Sequence, residues 1–503
     1  MMTRLCVAIF VNDPAQAQRD VAMAAEAGAD MVELRLDTFT GDVPELLDKV
    51  SIPAICTCRT QFEGGASTAS DEQRIAMLAE ASPRSAYVDV EWVTSRAVAM
   101  SREAFPRLIL SSHDFAGRPE RLTNRVLELA ESSCDVAKIV WTARTVRDNL
   151  EAFEILQQRQ KPTIALCMGE AGLISRILAK KFGAFLTFAS LDGSAGTAPG
   201  QISVSDMKRL YRWDEIAPDT KVYGVVGCPI AHSMSPAIHN AAFESAGHNG
   251  VYLPLLVNPG YESFKAFMES FLNFPGLDLS GLSVTIPHKE NALRYLKEKA
   301  ALVEPLADRI GAVNTIVMDA GKLSGFNTDY AAILDSITTA LGTTREALAA
   351  YRVAVIGAGG TGRTAVAALA ACGATVVVYN RTREKADALA VEFTGHTGKV
   401  VSAAMEKLCD SCCQIYINTT SIGMHPNVDD SPMENVPRDV LVFDAVYNPM
   451  RTRLLAQAEA AGAKTIGGIE MFVRQAGAQF TLWTKLAAPL GLMREVVEGK
   501  LRG

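Results

Sequence analysis

The first two hundred residues alternate short apolar runs with helix-patterned segments at a near-constant interval, and this rhythm constrains the fold more than any other feature. The runs fall at 5–11, 31–36, 53–58, 86–91, 108–112, 135–140, 163–168 and 185–189. Helical patterns lie between them, for example at 14–26, 118–131 and 146–158. Strand-length runs separated by helices read as βα units with parallel strands. Eight such units is the count of a (β/α)8 TIM barrel, in which reactive groups sit at the C-terminal ends of the strands. A last helix is expected at 203–213, opened by Ser203 as its cap. The polar, proline-containing stretch Asp214-Glu215-Ile216-Ala217-Pro218-Asp219 then reads as a linker that closes a first domain, 1–214.

The remaining length divides again. A substrate-lobe region is expected over 220–330, rejoined by closing helices within 470–503, and a nucleotide-binding lobe over 345–468. The chain has 503 residues, 49% of them hydrophobic and 21% charged, so a large core is available. A net charge of −7 argues against a general nucleic-acid surface. No apolar run approaches the ~18 residues of a membrane span, and the start lacks the features of a signal peptide. A cytoplasmic protein with small-molecule partners is therefore expected. Ten cysteines scattered through predicted elements fit reduced, buried thiols. Cys409-x-x-Cys412-Cys413 has no second Cys or His pair at zinc spacing, so no metal is expected.

Within the third region, the strand Val353-Ala354-Val355-Ile356 runs into Gly357-Ala358-Gly359-Gly360-Thr361-Gly362, then a helix and a second strand ending Tyr379-Asn380-Arg381-Thr382. Glycines at this spacing let backbone approach a pyrophosphate, and the helix N-terminus supplies N–H groups to it. A lone glycine motif is weak evidence, but the strand–turn–helix–strand context is the one that supports dinucleotide binding. Where a reader of the 2′-hydroxyl carries Asp or Glu, this chain has Asn380 and Arg381. The arginine suits a 2′-phosphate, which makes NADP the expected cofactor and hydride transfer the expected chemistry.

In the first region polar residues stand at predicted strand ends: Glu33, Arg35 and Asp37, then Arg59 and Glu63, then His113 and Asp114. Lys138 is the outlier, because it lies inside the apolar run Val136-Ala137-Lys138-Ile139-Val140. Such a lysine either snorkels or pairs with a carboxylate, or is desolvated into a nucleophile for carbonyl carbon. Lys138 and His113 at one end of one barrel together favour Schiff-base chemistry with an imidazole base.

These residues, with Glu63-Gly64-Gly65, Ser112-His113-Asp114-Phe115, Met168-Gly169-Glu170-Ala171-Gly172-Leu173-Ile174-Ser175-Arg176 and Ala198-Pro199-Gly200-Gln201, resemble the type I 3-dehydroquinate dehydratase family. The resemblance implies that Lys138 forms an imine with the C3 ketone and that His113, partnered by Glu63, moves the proton from C2 to the departing C1 hydroxyl. It implies that Arg176, Thr197 and Gln201 hold the substrate carboxylate, and that Glu33, Arg35 and Arg59 address the ring hydroxyls.

The second region places Ser233 and Ser235 two apart beside a helix start, a plausible carboxylate site or an ordinary capping sequence. Lys289 follows the run Ser283-Val284-Thr285-Ile286-Pro287-His288, and Asn314 and Asp329 stand at later strand ends. A Lys–Asp pair beside a nicotinamide can deliver a proton, although it can equally be a structural ion pair. With Asn418-Thr419-Thr420-Ser421-Ile422-Gly423-Met424, Asp444-Ala445-Val446-Tyr447-Asn448-Pro449 and Gly468-Ile469-Glu470-Met471, the region resembles the shikimate dehydrogenase family. The resemblance implies Lys289 and Asp329 as the catalytic pair. It implies shikimate contacts from Ser233, Ser235, Thr285, Asn314, Tyr447, Gln475 and Gln479. Gly357, Ala358, Gly359, Gly360, Thr361, Asn380, Arg381, Thr382, Lys385, Ala445 and Gly468 would line the NADP site. Ser283 stands where many members have asparagine, and Lys385 where arginine is common.

The order of modules resembles the bifunctional shikimate-pathway enzymes, in which the product of the first step, 3-dehydroshikimate, is the substrate of the second. Aromatic amino acid and chorismate biosynthesis is the implied setting. A quinate dehydrogenase is the runner-up for the second half, but Ser235 and Thr285 carry the hydroxyls expected of shikimate binders. A metabolite sensor that has lost its reactive residues is disfavoured by Lys138, His113, Lys289 and Asp329.

Overall fold

The computed structural model describes residues 2–192, 200–394 and 398–502. Contacts divide the chain into two compact units, 1–236 with 249–279 and 237–248 with 280–503. The expected break at 214–219 is therefore not where this division falls, since the strands Lys221–Gly227 and Gly250–Leu256, which pair in parallel, belong to the first unit.

Eight parallel strands form the barrel of the first unit: β1 (Arg4–Phe10), β2 (Met31–Arg35), β3 (Ala54–Thr57), β4 (Tyr87–Glu91), β5 (Leu108–Asp114), β6 (Val136–Thr142), β7 (Thr163–Met168) and β8 (Leu186–Ala189). The ladder runs in sequence order from β7 back to β1 and then to β8. At the seam, the Phe185 N–H donates to the Thr163 carbonyl at 2.8 Å. The strands are buried on both faces, as parallel strands covered by helices must be. Asp13 opens the helix Pro14–Glu26 by accepting from Gln16 N, with proline in the first turn. Ser70 and Gln73 close a capping box on Asp71–Ala81. The expected last helix, 203–213, takes a different form: a π-helical turn at Asp206–Leu210, then a 3-10 turn at Trp213–Glu215. The left-handed backbone of Arg212 interrupts a continuous helix there.

In the second unit, Leu279–Val284 pairs antiparallel with Thr315–Asp319, setting Ser283 opposite Thr315. The nucleotide lobe is a six-stranded parallel sheet ordered Lys399–Ala403, Thr375–Tyr379, Arg352–Ile356, Ile415–Asn418, Leu441–Asp444, Lys464–Ile466. That is the doubly wound order 3-2-1-4-5-6, with its switch point beside Arg352–Ile356. The helix Gly360–Ala371 is enclosed on all sides along Ala365 to Ala370, where every residue is buried.

Candidate active sites

The barrel carries charge where a core carries none. From β2, β4, β6 and β8, alternate strands, Glu33, Asp89, Lys138 and Phe188 point inward and meet, the layering that barrel geometry imposes. Lys138 Nζ donates to Asp89 Oδ2 at 2.8 Å and to Glu33 Oε1 at 3.2 Å, and lies 4.5 Å from the Phe188 ring centroid. Lys138 is 3% exposed. The buried amine is thus paired, and its two carboxylates are anchored in turn. Glu33 accepts from Thr57 Oγ1 at 2.9 Å. Asp89 Oδ1 accepts from Arg59 Nη2 at 3.0 Å and from Ser111 Oγ at 2.6 Å. Burial alone would raise the Asp89 carboxyl, but Arg59 and then Lys138 outweigh it and hold it below the usual carboxylate range.

One layer higher, His113 at the end of β5 pairs its Nδ1 with Glu63 Oε2 at 2.9 Å, and its backbone N–H donates to the same oxygen at 3.1 Å. Burial pushes the His113 imidazolium well below its ordinary range, and the neighbouring Arg59 and Lys138 act in the same direction. Burial pushes Glu63 up to about 7 against the opposing pull of Arg59. With Glu63 ionised, Nδ1 carries the proton and Nε2 is left as a base, the orientation a general base needs.

Lys138, His113, Glu63, Glu33, Arg35, Arg59, Arg176 and Gln201 all line one cleft, so the structure brings together the sequence-predicted residues of this site that it describes. Thr197 lies outside the described residues. Arg35 is bound by Asp37, at 2.6 Å through Nη2. Arg176, at the end of the short helix Leu173–Ile177, is 2% exposed, and no described residue hydrogen-bonds its guanidinium. Burial pushes it down to about 10. Arg176 thus faces the cleft with its guanidinium bound to no carboxylate of the described residues.

In the second unit, Lys289 Nζ and Asp329 Oδ2 are 2.5 Å apart. Asn327 places Asp329 in the first turn of Thr328–Leu341 by accepting from its N–H at 3.1 Å. Asn314 and Gln479 are buried and tightly bonded: Asn314 Oδ1 accepts from Thr328 N at 2.8 Å, and Gln479 Nε2 donates to Thr315 Oγ1 at 3.0 Å. Ser283 Oγ donates to Gln479 Oε1 at 2.7 Å, so this serine fixes the amide of a predicted substrate contact. Thr285 is half-buried, Gln475 Nε2 donates to the Phe472 carbonyl at 3.1 Å, and Tyr447 stacks on Phe472 with centroids 5.3 Å apart. In the first unit, Ser235 N donates to Ser233 Oγ at 3.3 Å.

The glycine turn has the shape its spacing predicts. Gly357 sits at φ +110°, and a Cβ on Gly362 would come within 2.2 Å of the Gly357 carbonyl oxygen. Gly359 and Gly360 face open space, and Gly359 caps the helix with no side chain occupying its N–H groups. Asn380 is turned to the loop, its Oδ1 accepting from Ala358 N at 3.1 Å. Arg381, Thr382 and Lys385 are exposed, and no described residue pairs with Arg381 or Lys385. Ala445 continues from Leu441–Asp444, and a Cβ on Gly468 would strike its carbonyl oxygen at 2.5 Å. Open backbone donors beside two uncommitted cations fit a 2′-phosphorylated dinucleotide.

Residues 5–218 match the Type I 3-dehydroquinase family. Residues 225–316 match the shikimate dehydrogenase substrate binding domain, 340–445 shikimate/quinate 5-dehydrogenase, and 468–498 the shikimate 5′-dehydrogenase C-terminal domain. The chain is 39% identical to the chloroplastic bifunctional 3-dehydroquinate dehydratase/shikimate dehydrogenase of Arabidopsis thaliana, over 98% of this chain and 84% of the relative. The chain belongs to the bifunctional 3-dehydroquinate dehydratase/shikimate dehydrogenase family. Its second half is 41% identical to the shikimate dehydrogenase (NADP(+)) of Methanosarcina barkeri, over 55% of this chain and 97% of the relative. A solved shikimate dehydrogenase in complex with NADP+ superposes with a TM-score of 0.51, at 35% identity, over 57% of this chain and 97% of that one. The expected order of a dehydratase followed by a dehydrogenase is met by these matches.

Two dehydratase-site residues escape a reading of the sequence: Asp89 and Ser111. The signal for Asp89 lay in Tyr87-Val88-Asp89-Val90-Glu91, where acids recur at period two inside a strand that barrel geometry buries on both faces; Ser111, in Leu108–Asp114, gave none. Glu33, expected at a ring hydroxyl, is engaged with Lys138 and Thr57.

Proposed function

We propose that the barrel dehydrates 3-dehydroquinate through an imine on Lys138 and that the second unit reduces the product, 3-dehydroshikimate, through the Lys289–Asp329 pair. One observation supports the first half most directly: a lysine held by Asp89 and Glu33, a His113–Glu63 pair and an Arg176 that pairs with no described carboxylate share a single cleft.

Arg176, with Gln201, seats the substrate carboxylate, and Thr197 is assigned there with them. Lys138 Nζ adds to the C3 ketone, whose oxygen leaves as water as the imine forms. The protons that Nζ sheds pass by way of Glu33 to the ketone oxygen, which carries them away in the departing water, while Asp89 stays ionised and holds the nitrogen in place. The C2–H bond, acidified by the imine, breaks towards His113 Nε2, while Glu63 stabilises the imidazolium through Nδ1–H. The electron pair closes the C1–C2 double bond, and the C1 hydroxyl departs as water with the proton returned by His113. Water then releases the ketone from Lys138, so the net change is loss of one water. Arg35 and Arg59 address the ring hydroxyls.

In the second unit, NADPH supplies the hydride when bound. The glycine turn would cradle its pyrophosphate, and Arg381 and Lys385 would hold its 2′-phosphate. Lys289 Nζ donates a proton to the ketone oxygen, with Asp329 orienting the ammonium. By the resemblance to shikimate dehydrogenases, Ser233, Ser235, Thr285, Asn314, Tyr447, Gln475 and Gln479 are the proposed shikimate contacts of the dehydrogenase half of the chain. The three-part division 1–214, 220–330 with 470–503, and 345–468 is kept as the functional one, supported by where the family matches begin and end. Among the described residues no helix is long and apolar enough to cross a membrane. A cytoplasmic location, in the route to chorismate, accords with the ten free cysteines.

The test is a coupled assay: 3-dehydroquinate with NADPH should give 3-dehydroshikimate and then shikimate, each detected separately. Formation of neither product would refute the reading.

A further inference from the structure

Behind the His113–Glu63 pair lies a buried charge relay that the dehydration steps do not use. Arg74, on Asp71–Ala81 outside the barrel, is 1% exposed, an uncommon place for a guanidinium. Its Nη1 donates to both oxygens of Glu91, at 3.0 and 2.9 Å, and its Nη2 to Asp71 Oδ1 at 2.8 Å and Thr94 Oγ1 at 2.7 Å. Glu91 ends β4 and is itself buried. Glu91 Oε1 accepts from Thr60 N at 2.8 Å. Thr60 caps the 3-10 turn Gln61–Glu63, its Oγ1 accepting from Glu63 N at 3.3 Å. Glu91 therefore seats the turn from which Glu63 reaches His113.

Glu91 is also an electrostatic neighbour of that turn. Arg59 Nη1 lies 3.8 Å from Glu63 Oε2 and 3.9 Å from Glu91 Oε1, so one guanidinium nitrogen is shared between the two acids. The groups facing Glu63 are Arg59 from the end of β3, Asp89 and Glu91 from β4, His113 from β5 and, deeper in the cleft, Lys138 from β6. Asp89 and Glu91 are both buried acids outside the cleft lining, but Asp89 is hydrogen-bonded to Lys138 and Arg59, whereas Glu91 is hydrogen-bonded to Arg74 and to the Thr60 N–H that opens the Glu63 turn.

We infer that Glu91, clamped by Arg74, is a positioning residue that seats the Glu63 turn and sets the pH above which the His113–Glu63 pair works. Its negative charge competes for Arg59 and disfavours a second charge on Glu63, in line with the upward push on that carboxyl. This inference rests on the proposed role of His113 and Glu63.

The test is the pH dependence of dehydratase kcat/KM in the full-length enzyme. Glu91→Gln keeps the shape, and the acceptor for Thr60 N, but removes the charge. The acidic limb should move down by about one pH unit, the size expected for one near charge. Reduction of 3-dehydroshikimate should be unchanged. Glu91→Asp keeps the charge and should leave the limb in place while lowering kcat through a looser turn. A Glu91→Gln enzyme that loses rate equally at every pH, or a Glu91→Asp enzyme whose limb moves down, overturns the inference. Should Glu91→Gln fail to fold, the Glu91→Asp profile decides alone. His113→Ala separates the two levels: dehydration surviving in that variant overturns the proposed site itself, whereas its loss with an unmoved Glu91→Gln limb overturns only the role of Glu91.

Discussion

Asp89 holds Lys138 and Arg59 at once: one carboxylate oxygen is 2.8 Å from the lysine Nζ and the other 3.0 Å from the arginine Nη2. The amine proposed to attack substrate is thus positioned by the same acid that fixes a cation at the cleft wall. Asp89→Asn would leave two buried cations short of their shared anion. Breaking a buried ion pair on one side costs about 3–5 kcal/mol. Urea unfolding of the variant should show a loss of that order, and misplacement of Lys138 should lower dehydration by ~10² or more. Unchanged dehydratase kinetics would show that Glu33 alone positions the lysine.

The dehydratase should have an acidic limb near pH 7. Glu63 is pushed up to about 7, and His113 is neutral well below that. Nε2 is free to act as a base only when Glu63 is ionised and accepts from Nδ1–H, so activity rises as pH climbs through the Glu63 range and falls below it. Glu63→Gln should abolish that limb and lower the plateau. The profile of kcat/KM against pH checks both.

How much of this was legible in the sequence differs between elements. The strand 163–168 and the helix 14–26 appear where their patterns put them, because apolar run length and a proline-bearing cap are local signals. Lys138 stood out because an isolated charge in an apolar strand has no local explanation. Its partners did not, because Asp89 and Glu33 meet it across 49 and 105 residues of sequence, and only barrel closure brings them together. The helix at 203–213 was misjudged for a related reason: its apolar spacing fits a helix, and the left-handed turn at Arg212 is set by tertiary packing.

Arg381 should set cofactor preference. It is exposed with no described partner, beside Lys385 in the same state. Two charge-assisted hydrogen bonds to a 2′-phosphate are worth about 1.5–3 kcal/mol each, so Arg381→Ala should raise the KM for NADPH by ~10-fold or more. The KM for NADH should barely change. An equal loss for both cofactors would assign Arg381 a structural role.

The two half-reactions should separate by mutation. Lys138 and Lys289 belong to different compact units. Lys289→Ala should leave dehydration intact while slowing hydride transfer by ~10²–10⁴, the range for a positioned acid–base group. Lys138→Ala should do the converse. Assays of each purified, folded variant for each half-reaction check this, and loss of both activities in either would point to one composite site.

The central claim is the imine on Lys138, and covalent trapping tests it most directly. Borohydride added with 3-dehydroquinate should reduce the imine to a stable secondary amine, and peptide mass analysis should place the added mass on the peptide containing Lys138. His113→Ala should still be trapped, because that variant retains the amine. An active enzyme that yields no adduct, or an adduct confined to another lysine, would contradict the account.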